Sequence, residues 1–325
     1  MQRYEEFRLD LKDRKILYEL DKDCRQTCSQ IGKKVGLSSE VVNYRIKKFE
    51  EEKIITHYQV VINLSCLGQI EFKVALSLQN IDSNKFGSLL KKVEKIEGVK
   101  WIVSCRGNWD MIVSGVGKSL TEINKIEDEV LSIFSGYVLD KSLAVCFKAE
   151  VFDRDFLIKD RASSDRERVL VDESQEINLD ELDVNILKEL AENGRKPIVD
   201  IAFKLKESER VINYRIKRLV DRKIITGFRI AVDYNKLGIK FYKTFVYLDN
   251  PKKERVRDLI DYFNSNKNII HNVEVIGNWD LEPEFEVFSE EEFDKLLGEM
   301  KDEFSDIIKK VDVLTISQEH KFVYL

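Results

Sequence analysis

Apolar residues along this chain change their spacing in a fixed order. From Leu9 to Asp21, the residues Leu11, Ile16, Leu17 and Leu20 fall on one side of a helical repeat, with Asp10 placed to cap it. A second, short helix is predicted from about Thr27 and carries Ile31, Gly32 and Val35. Gly36 then offers the positive φ that a tight turn between helices needs. Ser38 or Ser39 caps a third helix that runs to about Glu52. On that helix Val42, Ile46 and Phe49 share one face, and Glu40, Asn43, Tyr44, Lys47 and Lys48 share the other. Arg45 sits at the margin. Three helices with a glycine turn before a basic last helix describe a helix-turn-helix.

Beyond Thr56 the period drops to two. Tyr58, Val60 and Ile62 alternate with Gln59, Val61 and Asn63 until Leu67-Gly68. This extended stretch is predicted to tether the helical head to the next domain. Residues 70–150 then read strand, helix, strand, strand, helix, strand. The first strand is Phe72–Leu78, and the middle pair, Val99–Cys105 and Met111–Val116, flanks Gly107-Asn108-Trp109-Asp110. The last strand is Val138–Phe147. That order is the split βαβ of ferredoxin-like domains, with both helices on one sheet face. The open face needs a cover, and two such sheets packed face to face would supply it.

The whole programme occurs twice. Asn43-Tyr44-Arg45-Ile46-Lys47 returns as Asn213-Tyr214-Arg215-Ile216-Lys217, an offset of 170 (213 − 43). Lys53-Ile54-Ile55-Thr56 pairs at the same offset with Lys223-Ile224-Ile225-Thr226, Gly68 with Gly238, and Gly107–Asp110 with Gly277–Asp280. The expected class is α+β: a tandem repeat of a helix-turn-helix (winged-helix-like) domain followed by a ferredoxin-like βαββαβ domain. Expected boundaries are 1–56 and 57–152 for copy one, a polar linker over 153–177, then 178–226 and 227–325 for copy two. Within the linker, Val169-Leu170-Val171 has the makings of a short strand. Two departures stand out: Lys206-Glu207 replace Gly36-Leu37, and Pro283 interrupts a strand of copy two.

Composition narrows the function. The chain of 325 residues is 43% hydrophobic and 35% charged, with no apolar run of bilayer length and no signal-like stretch in Met1–Glu6. We expect a cytoplasmic protein without a membrane partner. The net charge of −5 does not advertise a nucleic-acid binder. Locally, residues 9–60 hold an excess of about two positive charges and 178–230 about three. Acid collects elsewhere, as in Glu282, Glu284, Glu286 and Glu290-Glu291-Glu292. The five cysteines (Cys24, Cys28, Cys66, Cys105, Cys146) all lie in copy one, form no Cys-x-x-Cys, and read as reduced thiols. No metal-ligand spacing, nucleophile motif or dinucleotide fingerprint appears, so neither a catalytic residue, a metal nor a cofactor is assigned. Gly117-Lys118-Ser119 lacks the earlier glycine of a phosphate loop, since Ile112 stands there. The histidines His57, His271 and His320 are not duplicated.

Gly36-Leu37-Ser38, Val42, Arg45-Ile46, Phe49 and Ile54-Ile55, with Gly107 before Asp110 and Gly277 before Asp280, resemble the Lrp/AsnC family of transcription regulators in tandem. The resemblance implies double-stranded DNA as a partner, assembly through the ferredoxin-like domains into dimers or larger oligomers, and an amino-acid-like effector. DNA-facing candidates in copy one are Ser38, Ser39, Glu40, Asn43, Tyr44, Arg45, Lys47 and Lys48. In copy two they are Ser208, Arg210, Asn213, Tyr214, Arg215, Lys217, Arg218 and Arg222. Arg45 and Arg215 equally suit a brace within the head. Glu40 aligns with Arg210, so the heads are expected to read different half-sites. Effector candidates are Gly107, Asn108, Trp109, Asp110, Gly277, Asn278, Trp279 and Asp280; the alternative is a turn that starts a strand, with Trp packed and Asp bonding amides. Two further readings are a ligand sensor or assembly scaffold with vestigial heads, and an enzyme resembling the siroheme decarboxylases, whose fold is similar to this family's.

Overall fold

A computed structural model describes residues 8–323 of the chain; Met1–Glu6, expected to hold no signal-like stretch, lie outside the described residues. Helix α1 (Leu11–Lys22) starts on a reciprocal cap between Asp10 and Asp13. Thr27 and Gln30 cap α2 (Cys28–Val35) in the same way, and α2 ends on Gly36 at φ 69°. Ser38 accepts from the Val41 amide to open α3 (Ser39–Glu51). Ile16, Leu17, Ile31, Val42, Ile46 and Phe49 form the core of this head. Strand β1 (Ile55–Ile62) leaves it. Next come β2 (Ile70–Leu78), α4 (Ser83–Val93), β3 (Val99–Arg106), β4 (Met111–Gly117), α5 (Leu120–Ile133) and β5 (Val138–Phe152).

After β6 (Glu167–Val171), copy two repeats the order with α6 (Glu181–Glu192), α7 (Ile198–Leu205) and α8 (Glu209–Asp221). It continues with β7 (Ile225–Val232), β8 (Lys240–Leu248), α9 (Lys253–Ser265), β9 (Ile269–Ile276), β10 (Glu284–Val287), α10 (Glu290–Glu303) and β11 (Ile308–Phe322). The glycine missing from the second head is replaced by Lys206, which itself adopts φ 57° at the end of α7. A side chain there costs roughly 1 kcal/mol in backbone strain. Pro283 leaves β10 four residues long, where β4 has seven. Its carbonyl still accepts from the Thr244 amide at 3.1 Å.

The two ferredoxin-like sheets do enclose a common interior, but they are more than stacked. Strands β5 and β11 are 15 residues long. The first half of each pairs within its own copy, β5 with β2 and β11 with β8. The second half crosses to the other copy's edge, β5 onto β9 and β11 onto β3. The result is a closed antiparallel ring, β2-β4-β3-β11-β8-β10-β9-β5 and back to β2, with β6 added beside β5. Helices α4 and α5 cover its outside over Phe72, Val74, Leu89 and Val130. Phe263, Phe285, Met300 and Phe304 fill the same layer under α9 and α10.

Above the ring, β1 and β7 pair antiparallel along their whole length. The heads dock crosswise on this ribbon: the Cys24 amide donates to the Phe228 carbonyl at 3.1 Å, and the Gly194 amide to the Tyr58 carbonyl at 2.8 Å. A Cβ on Gly194 would lie 2.6 Å from the Gln59 backbone, so the approach requires glycine.

The stretch 153–177 joins the copies, yet its first part is not a solvated linker. Arg154, Asp155 and Arg166 are buried. Arg154 donates to Asp21 of α1 at 2.6 Å and forks onto Glu286 of β10 at 2.8 and 3.0 Å. Arg229 of β7 also reaches Asp21 at 3.1 Å. All five cysteines are free and four are buried. Among the described residues no helix is long and apolar enough to cross a membrane.

Arg154→Ala would leave Glu286, 1% exposed, as a buried carboxylate without its partner. Urea unfolding should show a loss of about 3–5 kcal/mol, and a change under about 1 kcal/mol would count against the network as a fastener.

Candidate nucleic-acid interface and barrel interior

The outer faces of α3 and α8 carry the candidates at matching positions. Ile46 and Ile216 point to their cores, which leaves Glu40, Asn43, Tyr44, Lys47 and Lys48 exposed on α3. On α8 the exposed set is Arg210, Asn213, Tyr214, Lys217, with Arg222 just past its end. Tyr44 and Tyr214 are 68% and 64% exposed, large aromatic areas that nothing in the fold needs. Ser38 and Ser208 spend their hydroxyls on caps, accepting from the Val41 and Val211 amides at 3.3 Å. Ser39 is half-buried at the first turn.

The marginal arginines are braces. Arg45 donates to Asp10 at 2.7 Å and Asp13 at 2.6 Å. Arg215 binds Asp180 and Asp183 in the second head, and Arg218 also binds Asp183. These three candidates are thus held by carboxylates at the first helix of their own head. The remaining cations face outward.

The Gly107–Asp110 and Gly277–Asp280 turns contribute no residue to the wall of the ring-interior cavity or of the cleft beside α6. Asp110 accepts from the Leu78 amide and Asp280 from the Leu248 amide, both at 2.7 Å. Gly107, at φ 140°, lies against β11, where a Cβ would sit 2.6 Å from the Val313 carbonyl oxygen. Gly277 lies in the same way against Ala144 of β5. Trp109 and Trp279 are buried, and Trp279 stacks on Phe245 at 3.9 Å while donating to Glu282 at 2.8 Å. Asn278 donates to Ser142 at 2.8 Å, and Asn108 is exposed. In this geometry the turns lock the ring.

The ring interior holds charge. Lys73 and Lys243, equivalent at the offset of 170 (243 − 73), both reach Glu282 at 2.6 Å. Lys243 also binds Glu284 at 2.6 Å. Burial opposes the ionised Glu284, yet the Lys243 ammonium and its neighbours bring the carboxyl down to about 2. Beside them a cavity of about 100 Å³ opens between the copies. Copy one supplies Glu71, Lys73 and Trp101, and copy two supplies Tyr234, His271 and Glu319. A cleft of about 780 Å³ separates α6 from the first ferredoxin-like unit, lined by Gln69, Lys118, Asn178 and Lys188.

Sequence reasoning misses the interior network, because by composition Glu282, Glu284 and Glu286 belong to the general acidic balance. Two signals of it are present. Lys73 and Lys243 recur at the repeat offset, and the three glutamates fall at alternate positions of a stretch whose counterpart carries Ile112, Ser114 and Val116. Among the described residues no cluster of three His, Cys, Asp or Glu side chains could hold a metal ion.

Burial holds the His271 imidazole down at about 3, although Glu284 pulls it upward. Its contribution to stability is therefore present above about pH 6.5 and lost as pH falls toward 3, because only the unfolded chain takes up the proton. Relative to His271→Gln, wild type should lose up to about 1.4 kcal/mol per pH unit below pH 6.5 in urea titrations. Parallel curves would mean a solvated imidazole.

Comparison with known proteins fits this architecture. The winged helix-turn-helix DNA-binding family matches residues 9–56, and the AsnC-type helix-turn-helix domain matches residues 179–220. The HTH-type transcriptional regulator FL11 of Pyrococcus furiosus is 30% identical over 125 residues, 38% of this chain and 82% of that protein. The HTH-type transcriptional regulator LysM of Saccharolobus solfataricus is 29% identical over 125 residues, covering 38% and 85%. Each of these relatives thus aligns with about one copy. Over the whole length, the siroheme decarboxylase NirDL superposes with a TM-score of 0.61 at 15% identity, covering 96% of this chain and 93% of that one. That likeness is one of fold. With two helix-turn-helix heads, paired ferredoxin-like units and relatives of this kind, the chain belongs to the Lrp/AsnC family of transcription regulators.

Proposed function

We propose that this regulator grips double-stranded DNA with both heads, one chain standing where two subunits would otherwise be needed. The observation that carries this is the matched row Asn43, Tyr44, Lys47 and Asn213, Tyr214, Lys217, exposed at the same places on both heads. Lys47, Lys48, Lys217 and Arg222 suit phosphates, while the Asn and Tyr side chains suit phosphates or base edges. Glu40 and Arg210 occupy one helix position with opposite chemistry. A carboxylate suits cytosine and a guanidinium suits guanine, so the two half-sites differ and the operator is quasi-palindromic. The β1–β7 ribbon and the closed ring hold the heads at a fixed separation, which raises the effective concentration of the second once the first has bound.

A tetrapyrrole enzyme is the other reading, raised by the NirDL fold. The interior cavity disfavours it: about 100 Å³ is far too small for a macrocycle, and its glutamates would repel a polycarboxylate. On the matched rows of the two heads, we read the chain as a regulator rather than an enzyme.

Gel-shift titration on short genomic fragments, including the chain's own upstream region, tests this directly. Wild type should bind selected fragments, and Lys47→Ala/Lys48→Ala and Lys217→Ala/Arg222→Ala, which spare the braced Arg218, should each weaken binding. Each double variant should also flatten the slope of log affinity against log salt by roughly two at most. Association of two chains on one fragment would add a second, slower band. Loss in only one variant would make the other head an assembly partner. Affinity that is flat with salt would sink the proposal.

A further inference from the structure

We infer that the cavity inside the ring is a binding site for a small organic monocation, an alkylammonium carried on a short apolar stem. The charges around it nearly cancel in pairs. Glu284 is held by Lys243, Lys73 by Glu282, and Glu286 by Arg154. Three lining charges remain: Glu71, Glu319 and, against them, Lys100. None of the three makes an ion pair among the described residues. The balance is one negative charge (−2 + 1).

Both surplus carboxylates are half-engaged. Glu71 accepts from the Ser114 hydroxyl at 3.0 Å through one oxygen, and Glu319 accepts from the Trp101 indole at 2.8 Å through one oxygen. Burial raises the pKa of each, against the pull of Lys73 on Glu71 and of the Trp101 hydrogen bond on Glu319. Two further polar groups, the His271 imidazole and the Tyr234 hydroxyl, line the cavity with no hydrogen-bonding partner among the described residues. A ligand ammonium carries three donors, enough for both carboxylates and one of the two neutral groups. The rest of the wall is apolar or aromatic, with Val116, Leu170, Phe241 and Val273, which favours an alkyl stem over a hydrated inorganic ion. The size agrees: a cavity of about 100 Å³ holds a molecule of a few heavy atoms, since one of about 150 Å³ holds benzene.

This site is separate from the turns at Gly107 and Gly277, and its occupancy can be measured without DNA. Failure here therefore leaves the DNA reading standing, and the reverse holds too. The test is isothermal titration of the full chain at constant ionic strength with butylammonium chloride, sodium butyrate and butan-1-ol. Butylammonium is expected to bind with one site per chain, and butyrate and butanol to give no saturable heat. Glu71→Gln and Glu319→Gln should each weaken butylammonium by about tenfold, with unfolding curves confirming that each variant is folded. Should a variant not fold, the three-probe comparison on wild type decides alone. Butyrate binding as well as butylammonium overturns the inference, as does no binding of butylammonium, or undiminished binding in both folded variants.

Discussion

Two strand pairings close the ring, β5 onto β9 and β11 onto β3, and the rest of the molecule hangs on them. A ferredoxin-like sheet standing alone has an apolar face open to water and two edges of unpaired amides and carbonyls. Here each copy's last strand runs long enough to satisfy the other copy's edge. The same closure buries Trp109, Trp279, Phe245 and Val275 between the sheets. It also explains why Gly107 is a glycine: it lies against the strand that crosses from the other copy, where a side chain has no room, and Gly277 makes the corresponding, less tight approach to β5.

Closure creates a cost that the interior charges then offset. Copy two places Glu282, Glu284 and Glu286 inside the ring, and each is answered by a lysine or arginine at 2.6–2.8 Å. A buried ion pair is weak evidence for stability, but removing one partner is strongly destabilising. Such a network therefore fixes which residues meet more than it adds strength. Arg154 extends it outward. By holding Glu286 of the ring and Asp21 of the first head together, it links the ring interior to the seating of a DNA-facing domain.

On the recognition helices the same physics sorts the cations. Arg45, Arg215 and Arg218 lie within reach of carboxylates at the first helix of their own head, and geometry of that quality holds them. Lys47 and Lys217, on the outer face, point to solvent. A duplicated cation is therefore not one kind of evidence: some copies preserve a brace, others a surface.

The residues alone determined the repeat, the helix-turn-helix heads with a cap at Asp10 and another at Ser38 or Ser39, and the ferredoxin-like order of elements, because local periodicity and capping chemistry act over a few residues; the structure chose Ser38 and added Thr27. They also separated the inner from the outer face of α3 and α8. What only the tertiary structure decided involves partners far apart in sequence. Edge pairing across copies, the burial of the stretch around Arg154, and the conversion of an apparently acidic surface run into an interior network all depend on contacts over more than 100 residues. Period-two glutamates look the same in sequence whether they face water or a ring interior, and only the position of Lys73 and Lys243 across the sheet distinguishes the two.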